Sequence, residues 1–439
     1  MKVESVRGMR DILPEEAALW QRLEEEIRTL FALYGYKEIR PPLVELAELF
    51  ARGVGEATDI VHKEMYVFPD KKGQMLALRP EATASVVRAY IEHGLYAKGD
   101  LAKLYYIGPM FRYEKPQKGR QRQFHQYGVE ALGSLDPALD AEVIDLAWHL
   151  MERVGLAREG LYLRLNSIGC REDRPAFREA LRSYFSARKA ELCGDCQRRL
   201  EENPLRILDC KEPQCQGAIA EAPKSLDHLC QKCRAHFEEL LSFLRDLGLA
   251  YELDPRLVRG IDYYTRTVFE LCSRELGAQD ALLGGGRYDD LVELLGGPPT
   301  PGVGFAGGME RLVLVLSQHL TANPDAPDLD VYVVPIGDEG RRKALEVLAR
   351  LRRAGVAADL DYMGRSLRKV MSVAARRARH ALLLGPDELA QGALTLKDLA
   401  SGESQTLSLA EFLADPRAFL SPLPFGEKGG GDPFPRKTG

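Results

Sequence analysis

Residues 257–265 place one arginine, one acid and two adjacent tyrosines on a short run that enters an apolar strand. A fixed guanidinium can bridge two anionic groups and stabilise the negative charge that develops between them during a reaction. Arg259 is therefore our candidate for such a cation. The alternative is an ordinary salt bridge with Asp262, because ion-pair networks are common. Tyr263 and Tyr264 can form the wall of a small pocket and hydrogen-bond a ligand through a phenol.

Residues 112–126 form a basic segment between two predicted strands, at about 103–113 and 122–131. Pro116 and Gly119 between the strands favour an antiparallel hairpin. Side-chain alternation predicts one shared face on the second strand, formed by Phe124, Gln126, Gly128 and Glu130. A polar face that carries an acid is costly inside a sheet unless a ligand uses it. The hairpin therefore predicts a binding surface.

The charge of the hairpin loop predicts an anionic ligand. Glu114 stands beside four basic side chains, which are Lys115, Lys118, Arg120 and Arg122. A charged hairpin tip is often only solvated, since surface charges are common and stabilise little. Arg112 favours a binding role, because it is expected to share a strand face with Glu114 and its planar guanidinium can hold a phosphate through two hydrogen bonds. We expect polyphosphate or an RNA backbone as the ligand.

Two earlier segments could support this site. Apolar residues at helical spacing predict a long helix over 15–34, followed by a strand that ends at Pro42. Further along, a short strand stops at Pro80, with Glu81 and Thr83 predicted in the first turn of a helix. Acids at helix starts are also common without any ligand, so this pair has a purely structural alternative.

Residues 302–311 are rich in glycine and match the G-x-G-x-x-G pattern of dinucleotide sites. We reject that match, because no apolar strand precedes the glycines and no companion acid follows at the end of a second strand. The glycines instead predict a closely packed strand that allows a ligand near its backbone and leads into the helix of Arg311.

Composition limits the class of protein. At 439 residues and 45% hydrophobic, the chain can form two to four domains. A net charge of -5 argues against a protein that coats nucleic acid indiscriminately. The first fifteen residues lack an apolar leader and no run of about 18 apolar residues occurs. We therefore expect a cytosolic protein without a membrane partner.

Seven of the eight cysteines lie between residues 170 and 245. The two C-x-x-C pairs in that region suggest one tetrahedral zinc site, bound by Cys193, Cys196, Cys230 and Cys233. The gap between the pairs exceeds the usual zinc-ribbon spacing, and buried reduced thiols are the other interpretation. Both remain open at this point, and we assign no metal ligand.

The chain changes character after residue 327. Strands alternate with helices from 331 to 385, which predicts a small α/β domain. Residues 341–379 contain twelve Lys or Arg residues against three acids, so RNA is the expected partner of this domain. The tail 425–439, with three glycines at 429–431, is expected to be disordered.

In combination, these segments resemble histidyl-tRNA synthetases, a family of class II aminoacyl-tRNA synthetases. The hairpin resembles class II motif 2, residues 302–311 resemble motif 3, and residues 257–265 and 283–289 resemble two histidine-specific signatures. Two positions depart from the family pattern: Ala82 stands where glycine is common, and Lys115 stands where arginine is usual.

The resemblance implies an α/β protein with an α+β catalytic domain, in which an antiparallel sheet is flanked by helices. The catalytic domain would comprise 1–169 and 246–325, a helical insertion 170–245, an α/β anticodon-binding domain 328–424 and a disordered tail 425–439. The helix and strand that end at Pro42 resemble the dimer motif of class II enzymes, which implies a homodimer.

The resemblance also implies a ligase that joins L-histidine to tRNA(His) through histidyl-adenylate, releasing AMP and pyrophosphate, with ATP as substrate and Mg²⁺ as cofactor. Arg259 and Arg112 would be catalytic. Glu130 would bind the imidazole, which offers an N–H donor. The histidine-binding residues would be Glu81, Thr83, Gln126, Glu130, Arg259, Tyr263 and Tyr264. The ATP-binding residues would be Arg112, Glu114, Phe124 and Arg311, and the residues at the tRNA acceptor end would be Gln117 and Arg122.

Two other classes of function are alternatives to a synthetase. A synthetase-like protein can serve as a histidine-sensing regulatory subunit of ATP phosphoribosyltransferase, but such proteins lack the anticodon domain and have degraded signature motifs. A zinc-dependent RNA-binding module without catalysis would leave the polar sheet face unexplained. Histidine-dependent exchange between ATP and pyrophosphate separates both from the synthetase.

Overall fold

The computed structural model describes residues 3–55, 58–99, 101–117, 119–276, 280–319 and 328–420. Contacts divide the chain into two units, with the boundary between Leu320 and Thr321. The predicted disordered tail, 425–439, lies outside the described residues.

An eight-stranded, mainly antiparallel sheet is the centre of the first unit. The strands of this unit are β1 (Lys37–Glu38), β2 (Val44–Leu46), β3 (Tyr66–Pro69), β4 (Met75–Leu78), β5 (Ala102–Phe111), β6 (Gln123–Leu132), β7 (Leu161–Ser167), β8 (Tyr251–Leu253), β9 (Thr265–Ser273), β10 (Ala281–Arg287) and β11 (Gly302–Gly308). The large sheet has the order β1-β5-β6-β11-β10-β9-β7-β8, and a separate small sheet has the order β2-β4-β3. Within the large sheet, the described strands are antiparallel except for the edge pairs β1–β5 and β7–β8, which are parallel.

The described residues of the first unit also form ten α-helices. They are α1 (Pro14–Leu33), α2 (Ala47–Val54), α3 (Thr83–Glu92), α4 (Pro137–Arg153), α5 (Arg174–Ser186), α6 (Gly194–Glu202), α7 (Pro213–Ala220), α8 (Gln231–Asp246), α9 (Leu291–Leu294) and α10 (Met309–His319). Short turns of 3-10 or π helix occur at Ile60–Glu64, Leu95–Lys98, Arg158–Gly160, Lys189–Glu191, Pro204–Ile207, Ser225–His228 and Arg274–Leu276. Helices α5 to α8 follow β7 and precede β8, as a helical insertion predicts.

The main core forms where α1 and α4 pack on the sheet. As the helical spacing predicts, α1 buries one stripe of apolar residues, which are Trp20, Leu23, Ile27, Leu30 and Phe31. The Phe31 ring meets Tyr105 of β5 and Phe305 of β11 edge to face, with centroids 5.5 and 6.1 Å apart. This apolar layer covers one face of the large sheet, and the polar side chains of β6 lie on the opposite face.

The central strands approach each other closely because glycines line them. A Cβ atom on Gly304 would lie 2.2 Å from the Val129 carbonyl oxygen, and one on Gly285 would lie 2.2 Å from the Gly304 oxygen. Real Cβ atoms do not come so close, so these positions require glycine. The glycine-rich strand predicted at 302–311 is β11, and it leads directly into α10.

The hairpin is β5 and β6, with Phe111 opposite Gln123. The first strand was predicted to reach residue 113, but β5 ends at Phe111. Arg112 and Glu114 follow β5 and are not on a strand. The backbone N–H of Arg112 donates to the Arg122 oxygen at 2.8 Å, and that of Tyr113 donates to Glu64 outside the hairpin at 2.6 Å. The pairing therefore breaks as the chain enters the basic loop.

The second unit is a small α/β domain, as predicted. Its elements are β12 (Leu329–Pro335), α11 (Gly337–Arg353), β13 (Ala358–Leu360), α12 (Leu367–Arg377), β14 (Ala378–Leu384), α13 (Pro386–Ala390), β15 (Ala393–Asp398), β16 (Ser404–Ser408) and α14 (Leu409–Ala414). A 3-10 turn at Pro416–Phe419 follows. The sheet order is β13-β12-β14-β15-β16. Within the described part of the chain, no helix of either unit is long and apolar enough to cross a membrane.

One buried ion pair holds the end of β10. Arg287 and Asp140 of α4 are both 0% exposed and in direct contact, and Arg287 also reaches Asp289 at 3.0 Å and the Ser134 carbonyl oxygen. Three acceptors on one guanidinium offset its loss of water.

We expect Arg287→Met to lower the free energy of unfolding of the first unit by about 3–5 kcal/mol, because Asp140 would be left buried without its partner. Trp20 and Trp148 are the two tryptophans of the chain and both lie in the core of the first unit, so their fluorescence during urea denaturation reports on this unit. The matched control is Arg182→Met, whose pair with Glu179 is solvent-exposed, and we expect a change of about 1 kcal/mol or less. Equal effects of the two variants would contradict the structural role of Arg287.

Candidate active site

A cavity of about 190 Å³ opens on the polar face of the large sheet. All seven predicted histidine-binding residues line it, together with Arg112. They come from the start of α3, from β6 and from the loop before β9, so segments far apart in sequence converge here. Glycines of β10 and β11, Gly284 and Gly304, contribute backbone to the wall.

Glu81 ties the start of α3 to this cavity. Its carboxylate accepts the backbone N–H of Thr83 at 2.7 Å and that of Ala84 at 2.9 Å. Burial raises the pKa of Glu81, while these hydrogen bonds favour the charged form. The helix begins at Thr83, so Thr83 lies in its first turn as predicted, whereas Glu81 precedes the helix. Glu81 thus caps a helix and lines the cavity at once.

Glu130 of β6 is the most deeply buried acid of the cavity, with 1% of its surface exposed. Its carboxylate accepts the Thr83 hydroxyl at 2.7 Å and also the Tyr288 hydroxyl. Burial raises the pKa of Glu130 to about 8, although both hydrogen bonds oppose the rise. A Cβ atom on Gly304 would lie 2.3 Å from a Glu130 oxygen, so the glycine makes room for this acid.

Aromatic rings wall the cavity beside Glu130. The rings of Tyr263 and Tyr264 lie 4.8 Å apart, and Tyr288 meets Tyr263 edge to face at 5.6 Å. On β6, the side-chain oxygen of Gln126 is buried and has no hydrogen-bond partner among the described residues. Buried polar atoms are normally paired, so this oxygen is available to a polar ligand in the cavity.

Arg259 faces the same cavity and pairs with Glu270 of β9 at 2.5 Å. Arg259 is thus in an ion pair, as the alternative interpretation expected, but its partner is Glu270 and not Asp262, which accepts from the side chain of Asn203 at 3.0 Å. The guanidinium also lies over the Tyr264 ring, 5.7 Å from its centroid. A Cβ atom on Gly284 would lie 2.3 Å from this guanidinium. Glycine at 284 therefore makes room for Arg259.

A larger cleft of about 900 Å³ lies on the other side of this ion pair. Its wall includes Arg311 and Glu270 from the sheet region, Arg120 from the hairpin loop, and residues between 208 and 224 of the helical insertion. Arg311 donates to the Ala281 oxygen at 2.6 Å, and burial lowers the pKa of its guanidinium. Because Glu270 lines the cleft and Arg259 lines the smaller cavity, their ion pair joins the two walls.

The remaining predicted ATP-binding residues lie at the entrance to the hairpin loop. Arg112 donates to the Pro80 oxygen at 2.9 Å, and its guanidinium lies 5.3 Å from the centre of the Phe124 ring. Glu114 lies 3.8 Å from Arg112 and 3.2 Å from Arg120. Arg112, Phe124 and Glu114 are thus brought together, and Arg112 reaches the small cavity.

The two predicted tRNA-binding residues line neither cavity. Gln117 is exposed in the loop, where its backbone pairs with Arg120. The Arg122 guanidinium stacks on the Tyr113 ring at 3.8 Å and donates to the Glu114 carbonyl oxygen at 3.3 Å. Lys118 of the same loop lies outside the described residues. The roles of Gln117 and Arg122 stay predictions.

Two residues of the site were not assigned roles from the sequence. Tyr288, in the segment 283–289 that resembles a histidine-specific signature, donates to Glu130. Glu270 binds Arg259, and the available signal was an acid within the apolar run 268–272 of β9. Nothing in the sequence indicates that these particular partners meet.

The chain is similar to known proteins over most of its length. A family model described as histidyl-tRNA synthetase matches residues 8–312, and one described as an anticodon binding domain matches residues 330–415. The chain is 49% identical over 416 residues to the histidine–tRNA ligase of Halothermothrix orenii, which covers 94% of this chain and 99% of that ligase. It is 51% identical over 415 residues to the ligase of Anaeromyxobacter dehalogenans, with the same coverage of 94% and 99%. The crystal structure of apo S. aureus histidyl-tRNA synthetase is similar with a TM-score of 0.79 and 39% identity, covering 94% of this chain and 99% of that chain.

The raised pKa of Glu130 predicts a pH dependence of stability. Between the ordinary value of 4.5 and about 8, the folded protein keeps a proton that the unfolded chain has lost, so stability should fall as pH rises through this window. Glu130→Gln removes this dependence. The free energy of unfolding of the wild type, relative to that of the variant, should therefore fall by a few kcal/mol from pH 5 to pH 8 in urea denaturation followed by tryptophan fluorescence.

Glu16→Gln is the control for this measurement. The hydrogen bond from Arg10 lowers the pKa of Glu16. The contribution of Glu16 to the free energy of unfolding is therefore fully present above pH 4.5 and is lost only below it. The difference between wild type and this variant should stay constant from pH 5 to pH 8. A constant difference for Glu130→Gln as well would show that Glu130 is ionised in the folded protein throughout this range.

Proposed function

The chain belongs to the histidyl-tRNA synthetase family, and from that premise we propose how its own residues divide the work of the reaction. The protein is a histidine–tRNA ligase: it charges tRNA(His) with histidine in an ATP-dependent reaction that passes through an aminoacyl-adenylate. The observation that carries the proposal is the convergence of the seven predicted histidine-binding residues, with Arg112, on one cavity.

Activation of histidine requires two anions to meet. The substrate carboxylate attacks the α-phosphate of ATP, and negative charge accumulates between them as the new bond forms and pyrophosphate leaves. In our proposal Arg259 lies against both groups and offsets their repulsion, while Arg112 holds the α-phosphate from the other side. The carboxylate is already ionised at neutral pH, so this step depends on position and electrostatics and needs no general base.

Glu130 is the proposed specificity residue for the imidazole ring. Its carboxyl group is buried and held by Thr83 and Tyr288, so its oxygens are fixed in the cavity. An imidazole ring offers an N–H that can donate to this group, whereas an apolar side chain of similar size offers no hydrogen-bonding group to it. Tyr264 completes the ring contact, and Glu81, Thr83 and Gln126 bind the substrate ammonium group.

ATP occupies the region between Arg112 and the larger cleft in this proposal. Phe124 stacks on adenine, and Arg311 binds the γ-phosphate. Mg²⁺ accompanies the nucleotide: it prefers oxygen ligands and binds through one or two carboxylates together with phosphates. The carboxylates of Glu114 and Glu270 would fit this donor set, because Glu114 lies beside Arg112 and Glu270 beside Arg259, the two arginines assigned to the α-phosphate. When bound, the ion neutralises phosphate charge.

The acceptor end of tRNA approaches the hairpin loop, where Gln117 and Arg122 contact it, and the basic second unit reads the anticodon. The domain boundaries proposed for this arrangement are those predicted from the sequence: 1–169 and 246–325, 170–245, and 328–424. We also propose a cytoplasmic location, where tRNA is charged.

A homodimer is the proposed assembly. On the small sheet β2-β4-β3, Val44, Leu46 and Phe68 are apolar and each at least 40% exposed. Leu46 and Phe68 are both paired with Leu76, so they flank it on one face of the sheet. A continuous exposed apolar face of this kind favours a protein interface.

We expect Arg259→Ala to cut the rate of histidyl-adenylate formation by on the order of 10²- to 10³-fold, with a much smaller rise in the KM for ATP, because Arg259 acts mainly on charge that develops in the transition state. Arg259→Lys should restore only part of the rate, since an ammonium group cannot span two oxyanions with a planar fork. Transfer from pre-formed adenylate to tRNA should suffer less, because the carboxylate and phosphate are already joined. Single-turnover rates of the two half-reactions measure this difference.

Arg182→Ala is the control for this experiment. Arg182 lies in α5, is exposed, pairs weakly with Glu179 and lines neither cavity, so the adenylation rate should stay near that of the wild type. Equal losses in both half-reactions of Arg259→Ala, or a pure KM effect, would show that Arg259 only positions substrate.

The dimer proposal predicts a change of mass. Wild type should have twice the chain mass of 49.0 kDa in light scattering, and the double variant Leu46→Glu/Phe68→Glu should shift to the single-chain mass, because two charges would be buried in the interface. Leu345→Glu, at an exposed leucine of the second unit, is the control and should keep the dimer mass. A double variant that keeps this mass too would place the interface elsewhere.

A further inference from the structure

The cysteines of the helical insertion form two separate groups. The first cysteine set is Cys193, Cys196, Cys210 and Cys215, and the second set is Cys170, Asp173, Cys230 and Cys233. Within each set, the potential ligand atoms all lie within 4.8 Å of one another. The single zinc site suggested by the spacing of the two C-x-x-C pairs is therefore wrong, because each pair belongs to a different set.

We propose that the first cysteine set binds a structural Zn²⁺ ion through four thiolates. The sulfur atoms of Cys193 and Cys210 lie 3.9 Å apart. A tetrahedral zinc site with Zn–S bonds of about 2.3 Å places its sulfurs roughly 3.8 Å apart, whereas a disulfide requires about 2.05 Å. The arrangement thus matches the edge of a zinc tetrahedron. Four sulfur ligands are also the donor set that zinc prefers in structural sites.

The local backbone supports this arrangement. Cys193 immediately precedes α6 and Cys196 lies in its first turn, so the C-x-x-C spacing brings both sulfurs to one end of the helix. The Cys193 N–H donates to the Cys215 sulfur at 3.2 Å, and the Glu212 N–H donates to the Cys210 sulfur at 3.4 Å. Backbone donors of this kind stabilise thiolate charge and orient metal ligands.

Apolar packing alone does not account for the set. Cys196 and Cys215 are fully buried in a core that includes Leu200 and Ile207, and reduced thiols can fill such a core as small hydrophobes. That role explains burial, but it does not require four sulfurs to converge on one point or N–H groups to be aimed at them. A shared cation explains both features.

The ion would hold the segment that supports the catalytic loop. It would link the start of α6, the turn that ends at Cys210 and the first half of α7. Between these ligands, Asn203 donates to Asp262 at 3.0 Å and Arg206 donates to the Gly260 carbonyl oxygen at 2.5 Å. Gly260 is adjacent to Arg259. The first cysteine set is thus connected to the loop of the proposed catalytic arginine through the hydrogen bonds of Asn203 and Arg206.

A different observation carries a second site. Asp173 is 6% exposed, and its carboxylate accepts the backbone N–H groups of Cys170 at 3.0 Å and Cys230 at 2.9 Å. No Lys, Arg or His among the described residues forms an ion pair with this carboxylate. A buried carboxylate without a cation is costly, and three thiols lie beside it. We infer that Cys170, Asp173, Cys230 and Cys233 bind a second Zn²⁺ ion.

Metal content tests both sites. The full chain, purified without chelators from zinc-supplemented cells, should contain two zinc ions per chain by elemental analysis. Cys196→Ser/Cys215→Ser and Cys230→Ser/Cys233→Ser should each retain one. Cys272→Ala is the matched control, because Cys272 is a buried cysteine in β9 outside both sets, and it should retain two.

Wild-type protein gives a measurement that does not depend on how the variants fold. An organomercurial thiol reagent should release the bound zinc in proportion to the thiols it modifies, and a colorimetric chelator detects the release. Zinc-free wild type, or iron in place of zinc, overturns both assignments. Unchanged zinc content in one double variant overturns the site that its residues form.

The link to Arg259 has its own readout, which rests on the proposed function. Loss of zinc from the first cysteine set should lower the rate of adenylate formation several-fold, and Co²⁺ added in its place should restore the rate together with visible thiolate-to-cobalt absorption. Bound zinc whose removal leaves adenylation unchanged overturns the positioning link but not the metal site. An Arg259→Ala variant that adenylates normally while zinc content stays at two overturns the proposed mechanism alone.

Discussion

The burial of ionisable groups within a sheet is the constraint on which this site depends. Glu81, Glu130 and Arg259 are held away from water, where a charged or polar group without partners is costly to keep. Each is offset locally: Glu81 by two helix N–H groups, Glu130 by two hydroxyls, and Arg259 by Glu270. Glycines on β10 and β11 supply the space for two of these groups. The fold thus provides both the room and the partners that polar chemistry in an interior requires.

Because these groups are fixed before substrate arrives, little reorganisation is needed when charge moves during adenylation. Arg259 is oriented by an acid and a ring on two different elements, and the loop that carries it is anchored by Asn203 and Arg206 of the helical insertion. The insertion therefore contributes to the geometry of the site, although it lies outside the sheet that contains the polar face.

Much of this architecture could be read from the sequence. The periodicity of α1, the β5–β6 hairpin, the glycine-rich β11 and the α/β second unit follow from local rules of helix and strand formation, and alternation placed Gln126 and Glu130 on one face. Two boundaries differ from the prediction: β5 ends before Arg112, where the Tyr113 N–H donates to Glu64 outside the hairpin, and α3 begins after Glu81, whose carboxylate caps it.

Pairings between distant segments could not be read in this way. The pairing of Arg259 with Glu270 across 11 residues depends on the register of β9 and on the space beside Gly284, which no local pattern encodes. The cysteines show the same limit more sharply. Spacing joined the two C-x-x-C pairs, but the path of the chain through α6, α7 and α8 gives each pair different partners. A C-x-x-C pair at a helix start determines only half of a tetrahedral site, and the tertiary fold determines the other half.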